Sequence, residues 1–260
     1  MTTVTSTENY AAARPGLRSL FILTVCEAKM VIRDTAGLIV PIGLPLLILL
    51  TSASAASSEV IVNDRTALDI YVLPLVFVMV LGAIGIINMP SFLAYYRRSG
   101  ILRRLGVTPA SPFMVLVAQA LVSMIQAIIG IAVALIFAII VFDANLPVNI
   151  AGAVGVLALA LAAMYGVGMI VAALAPTPNS AVAIGLVGFL GIGALGGMFG
   201  GRDALPTAVG DVGAWLPVGA AVDALGDAWA GTAINPVSLL CLLAAVVVGA
   251  GTAGLFFRWE

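Results

Sequence analysis

Six apolar stretches, each reaching the ~20 residues a helix needs to cross a hydrocarbon core, recur along this 260-residue chain. They run over about 36–55, 70–94, 113–142, 150–174, 180–200 and 236–257. Inside a bilayer no water satisfies the backbone, so stretches of this length have to be helices. Only 9% of the residues are charged and 62% are hydrophobic, against roughly a quarter charged in soluble domains. The expected fold is an all-α membrane protein with six transmembrane helices in one domain, residues 17–260. Pro41 and Pro45 predict a kink in the first span, because each proline removes a backbone donor.

Residues 1–16 form a polar tail without an apolar core followed by a small-residue cleavage site, so no signal peptide is expected. Residues 17–33 place Leu17, Leu20, Phe21, Val25, Ala28, Val31 and Ile32 on one helical face and Arg18, Lys29 and Arg33 along another. That pattern predicts an interfacial amphipathic helix with its basic edge toward anionic lipid. The alternative is the first turns of a longer spanning helix. Residues 201–235 are too apolar for a free loop and too often broken by Gly and Pro for a span. Short re-entrant or interfacial helices before the last span are expected there, with Trp215 and Trp229 at a membrane–water boundary.

Orientation follows from the basic residues. One side of the six spans holds Arg14, Arg18, Lys29, Arg33, Arg97, Arg98, Arg103, Arg104 and Arg258; the other holds only Arg65 and Arg202. Nine against two places both termini in the cytoplasm of a multi-pass cell-membrane protein.

Several chemistries are excluded by what the chain lacks. Its one lysine, Lys29, is followed by Met30, so there is no G-x-x-x-x-G-K-[ST] phosphate loop. No Asp, Glu, His, Lys or Arg lies inside the six stretches as bounded above, which argues against an ion-coupled carrier. The lack of paired carboxylates, histidine or an activated nucleophile argues against an intramembrane hydrolase. With no histidine and only Cys26 and Cys241, neither a disulfide framework nor a metal or redox site is expected.

Four features remain. Gln119, Ser123 and Gln126 are spaced i, i+4, i+7 within the third span, which fits inter-helix hydrogen bonding or a polar strip along a translocation route. In the fifth stretch Gly193–Gly197 and Gly197–Gly201 are G-x-x-x-G pairs, suited to close helix packing or to a flexible gate. Asn88 and Pro90 mark a break or an end in the second span. The segment Tyr95–Pro112 carries Arg97, Arg98, Arg103 and Arg104 and no acid. Within it Ile101, Leu102 and Leu105 interleave with Arg103 and Arg104, which fits either the ordinary basic character of a cytoplasmic loop or a short amphipathic helix suited to docking a protein, stopped near Gly106 and Pro109.

This organisation resembles the ABC-2 permeases, the type-2 ABC exporters of drugs, lipids and polysaccharides. Gly100, Leu102, Arg103, Arg104, Leu105, Thr108 and Pro109 match that family's pattern after span two. GGMFGGRDALP and WLPVGAAVDAL match a second pattern after span five. Many members carry a Glu shortly before the glycine, where this chain has Arg97, Arg98 and Ser99. The resemblance implies a non-enzymatic transport subunit, paired with a second permease copy and two separate ATP-binding subunits. Those subunits would hold ATP and Mg, leaving this chain without a cofactor and without a nucleic-acid partner. Arg97, Arg98, Gly100, Ile101, Leu102, Arg103, Arg104, Leu105 and Pro109 become the expected ATPase-coupling segment, and a drug, antibiotic or lipid the expected cargo. A membrane anchor that recruits a cytoplasmic protein without transporting anything is the competing expectation.

Overall fold

The computed structural model describes residues 16–56, 59–101, 112–202 and 205–256. The tail up to residue 15, the expected docking residues Leu102, Arg103, Arg104, Leu105, Thr108 and Pro109, and Arg258 lie outside the described residues. In chain order the elements are α1 (Leu17–Arg33), α2 (Thr35–Ala55), β1 (Val60–Val62), β2 (Arg65–Thr66), α3 (Leu68–Arg98), α4 (Pro112–Phe142), α5 (Ile150–Leu174), α6 (Pro178–Leu195), α7 (Thr207–Trp215), α8 (Pro217–Ala230) and α9 (Pro236–Phe256). Six of them, α2 to α6 and α9, are long and apolar enough to cross a membrane. The protein is an all-α membrane protein. Its small antiparallel hairpin pairs Val60 with Thr66 and Val62 with Arg65 and turns through Asn63 and Asp64, both at positive φ, as a two-residue hairpin turn requires.

α3 is the axis of the molecule. Its apolar window is 83% buried, against 17–39% for the other five spanning helices, and every residue from Val76 to Ile87 is buried. A helix that is apolar all round is either enclosed by protein or faces lipid; α3 is enclosed, by α2, α4, α5, α6 and α8. Two turns of α3, Leu68–Val72 and Ala83–Asn88, are widened to the π form. Each stands just ahead of a proline, Pro74 or Pro90. Proline cannot donate to the carbonyl four residues earlier, which is Ile70 or Ile86. Against those two carbonyls the neighbouring helices present bare glycines: a Cβ on Gly226 would come within 2.8 Å of Ile70 O, and one on Gly185 would collide with Ile86 O. α5 and α9 approach through Gly166 and Gly249, where a Cβ on Gly249 would overlap the Gly166 backbone. Tight contacts of this kind replace the hydrophobic drive that helices lack in lipid.

The same loss of a donor shapes α2. Pro41 deprives the Gly37 carbonyl of its helical partner, and two side-chain amides from other helices take its place. Asn88 Nδ2 on α3 donates to Gly37 O at 2.6 Å and Gln126 Nε2 on α4 at 2.8 Å.

At the end of the bundle that carries Arg65 and Arg202, Asp69 is fully buried. It accepts from Thr66 N (3.0 Å), Thr66 Oγ1 (3.2 Å), Asn145 N (2.7 Å) and Asn145 Nδ2 (3.1 Å). Asn145 O in turn accepts from Trp229 Nε1 at 3.1 Å, and the Trp229 ring packs 5.4 Å from Phe77. One carboxylate therefore ties the start of α3, the α4–α5 connection and α8 together. The second span begins two residues earlier than its apolar stretch, so this carboxylate belongs to the helix itself.

α7 and α8 meet at a bend of 82°, matching the short broken helices expected before the last span. Trp229 is buried and Trp215 is exposed. The fifth span is shorter than its apolar stretch: α6 ends at Leu195, and Gly197, Gly200 and Gly201 take positive φ. Gly193 lies on the helix, buried against Met198, whereas Gly197 sits in the turn beyond it. The expected G-x-x-x-G faces through Gly197 are therefore not helical. Glycines free to adopt left-handed conformations end the helix there instead.

Candidate coupling site at the basic end

The last turn of α3 carries Tyr95, Tyr96, Arg97 and Arg98 and projects beyond the apolar window toward the end where the basic residues gather. At 31 residues each, α3 and α4 are roughly 46 Å long at 1.5 Å per residue, well over a ~30 Å hydrocarbon core. Their basic ends therefore stand clear of the apolar slab or tilt within it.

Tyr96 is buried and its hydroxyl donates to the Glu27 carboxylate, with both Oε1 and Oε2 at 2.6 Å. Met30 Sδ lies 3.3 Å from the same hydroxyl. Burial pushes the Glu27 carboxyl above its usual range, and the Tyr96 hydrogen bond opposes that shift. Around the pair, Tyr96 and Val115 form a buried apolar cluster with Leu23, Met30, Phe92 and Ile101 packed on it. This cluster joins α1, the end of α3, the residue that leads into the 102–111 segment, and the first turns of α4. Sequence reasoning missed it. The available signal was Glu27, a lone acid in a helix whose other charges are basic, paired with a tyrosine at the end of the second span.

The expected coupling residues divide sharply. Arg97 turns inward: its Nη2 donates to the carbonyls of Ala172 (2.8 Å) and Ala175 (2.6 Å). Those groups are otherwise orphaned at the C-terminus of α5, where a cation also suits the helix dipole. Arg98 is exposed. Ser99 N bonds Tyr95 O at 2.9 Å and Gly100 N bonds Arg97 O at 3.2 Å, closing the helix. Gly100, at φ +68, then turns the chain, and Ile101 folds back onto the cluster. Arg18, Lys29 and Arg33 are exposed on α1, as are Leu17, Phe21, Ile22 and Ile32, while Glu27 and Val31 face the bundle. α1 thus offers both a basic edge and an apolar edge away from the protein, the arrangement of a helix lying at a membrane surface.

Further into the bundle, Gln119, Ser123 and Gln126 are all buried. Gln126 serves the Gly37 carbonyl of α2, Gln119 Nε2 approaches Met89 O at 3.4 Å, and Tyr165 on α5 donates to Gln119 O at 3.3 Å. Ser123 hydrogen-bonds Tyr165. Among the described residues Gln119 Oε1 has no hydrogen-bond partner. Within this chain the polar strip takes part in contacts between helices.

Among the described residues no three His, Cys, Asp or Glu side chains gather where they could hold a metal ion. Comparison with individually curated proteins gave no match. A family model described as ABC-2 type transporter matches residues 18–228, from the second residue of α1 to near the end of α8. The chain belongs to that family and is a transmembrane permease of an ABC transporter.

Proposed function

We propose that this permease exports a hydrophobic or amphipathic small molecule, a drug, antibiotic or lipid, out of the cell. Its basic end faces the cytoplasm, and its energy comes from two separate ATP-binding subunits that carry ATP and Mg. A second permease copy completes the transporter. Membership of the ABC-2 family supports association with an ATP-binding subunit, and the chain has no phosphate loop of its own. The nine-to-two distribution of Lys and Arg supports the orientation. An apolar bundle whose only buried carboxylates, among the described residues, lie near its two ends supports an uncharged or amphipathic cargo.

The observation that carries the coupling is the Tyr96–Val115 cluster. The segment 102–111 leaves from Ile101 and returns at Pro112, so both its ends are rooted close to that cluster. A push on this segment is delivered to the basic end of α3, the helix against which five others pack. A rigid element with many neighbours transmits such a displacement better than a peripheral one.

Reconstitution with the cognate ATP-binding subunit tests this. Arg103→Glu with Arg104→Glu is expected to leave insertion intact while ATP hydrolysis no longer drives export of a fluorescent amphipath. Export at the wild-type rate in that double variant would remove the segment from the coupling path. A wild-type complex that binds the ATPase and moves no cargo would favour the anchor role instead.

A further inference from the structure

At the end of the bundle opposite the arginine segment, a cleft of about 630 Å³ opens between α2, the first turns of α3, the glycine turn after α6, and α8. One part of its wall is charged. Arg202 Nη2 pairs with Asp223 Oδ1, and the two side chains remain 29% and 31% exposed. The pairing uses one contact only: among the described residues Asp223 Oδ2 and the other guanidinium N–H groups have no partner. Ser52 and the exposed ring of Tyr71 line the same cleft. Another part is apolar, with Val72, Leu75 and Met198. Gly200 and Gly201, both at positive φ, leave open space where side chains would stand.

Depth orders these groups. Ser52 and Tyr71 each lie three residues from a helix end, roughly 5 Å at 1.5 Å per residue, and Leu75 lies roughly 10 Å in. Ser52 and Tyr71 thus lie toward the outer end of the cleft and Leu75 deeper along the bundle, an order that suits a polar head above an apolar tail.

We propose that this cleft binds an amphipath with a zwitterionic head, its anionic group on the free N–H fork of Arg202 and its cationic group on Asp223 Oδ2 and the Tyr71 face. A partly exposed ion pair is complementary to a zwitterion because each ligand charge meets its opposite while the pair stays intact. A purely anionic head approaching Arg202 must lie beside the Asp223 carboxylate, and like charges brought together select against it. The tail follows Val72, Leu75 and Met198. The same head chemistry can arrive from the bilayer or from a molecule in the water. The inference does not rest on the export reading, since it concerns binding whether or not movement follows.

The test uses the full chain in nanodiscs containing photoactivatable phosphatidylcholine or phosphatidylglycerol labelled in the acyl chain. Crosslinked peptides are read by mass spectrometry. Labelling of the peptides around 71–75 and 196–202 is expected to favour the choline lipid by about fivefold. Asp223→Asn is expected to reverse the preference, because Arg202 then faces no competing carboxylate. Exchanging the pair, Arg202→Asp with Asp223→Arg, is expected to keep it. Ser52→Trp fills the cleft without touching the pair and is expected to abolish labelling by both lipids at unchanged thermal stability. Soluble dihexanoylphosphatidylcholine added from the water suppresses labelling if the site is reached from solution and leaves it unchanged if it is reached from the bilayer. Equal labelling by the two lipids, an unaltered preference in Asp223→Asn, or full labelling in Ser52→Trp would overturn the proposal.

Discussion

Replacing Asn88 and Gln126 by leucine, singly and together, probes how α2 sustains its prolines. Both amides donate to one acceptor, Gly37 O, at 2.6 and 2.8 Å. That acceptor needs them because Pro41, four residues on, has no N–H. With either amide removed, the carbonyl keeps the other donor, so each single substitution is expected to cost only about 1 kcal/mol, within the range for inter-helix hydrogen bonds in membranes. With both removed, a buried carbonyl is left bare, and the double variant is expected to lose a further ~2 kcal/mol beyond the sum. Pro41→Ala restores a backbone donor to Gly37 O and is expected to bring the interaction between the two sites close to zero. Steric-trap unfolding of the full chain in bicelles, run as a double-mutant cycle in each background, measures both quantities. Additive losses in the Pro41 background, or an undiminished interaction in Pro41→Ala, would refute the assignment of these amides to the carbonyl that Pro41 leaves without a backbone donor.

Further outcomes are expected. Burial raises the Glu27 carboxyl above its ordinary 4.5, so the folded state holds that proton more tightly and stability declines as pH rises from 4.5 through the raised value. Hydrogen exchange of α1 should show this slope in the wild type and a flat profile in Glu27→Gln; Tyr96→Phe should loosen α1 by roughly 2 kcal/mol, as expected for a hydrogen bond to a charged group. Arg97→Ala removes both bonds to Ala172 and Ala175, and amide exchange at the C-terminus of α5 should accelerate about tenfold or more, with partial recovery in Arg97→Lys. Gly168→Ala drives a Cβ into Gly85 O and should cost roughly 1–3 kcal/mol. Gly188→Ala, with nothing within 4 Å, should be neutral or stabilise α6 by up to ~1 kcal/mol, and thermal melts compare the two.

The spans were legible because membrane helices declare themselves by length and apolarity, and α2, α4, α5 and α9 begin and end within about two residues of their apolar stretches. α6 deviated because hydropathy does not sense backbone conformation: Gly196 to Gly201 are as apolar as the helix before them, yet three take positive φ. Pairings across the bundle were less legible. Gln126 was visible as a polar residue on a helical face, but its partner is a backbone carbonyl exposed by a proline in another helix. Arg97 read as surface charge because nothing local shows that the end of α5 lies beside it. The junction at Tyr96 was hidden for the same reason: Glu27 lies 69 residues from its partner, and only the packing of α1 against the bundle brings them together.

The two widened turns of α3 give the most enclosed helix of the molecule an unexpected tolerance. A π turn holds one residue more than an α turn, so Leu68–Val72 and Ala83–Asn88 each store a surplus residue. Each surplus also re-phases the chain beyond it by about 100°, the angle of one helical residue. The portions before, between and after the two turns therefore address their neighbours in different rotational settings. A one-residue deletion inside either turn can be absorbed by reverting to the α form, with the cost falling on the side chains whose direction changes. In the helix least able to accept a larger side chain, changes in chain length have two built-in places to go.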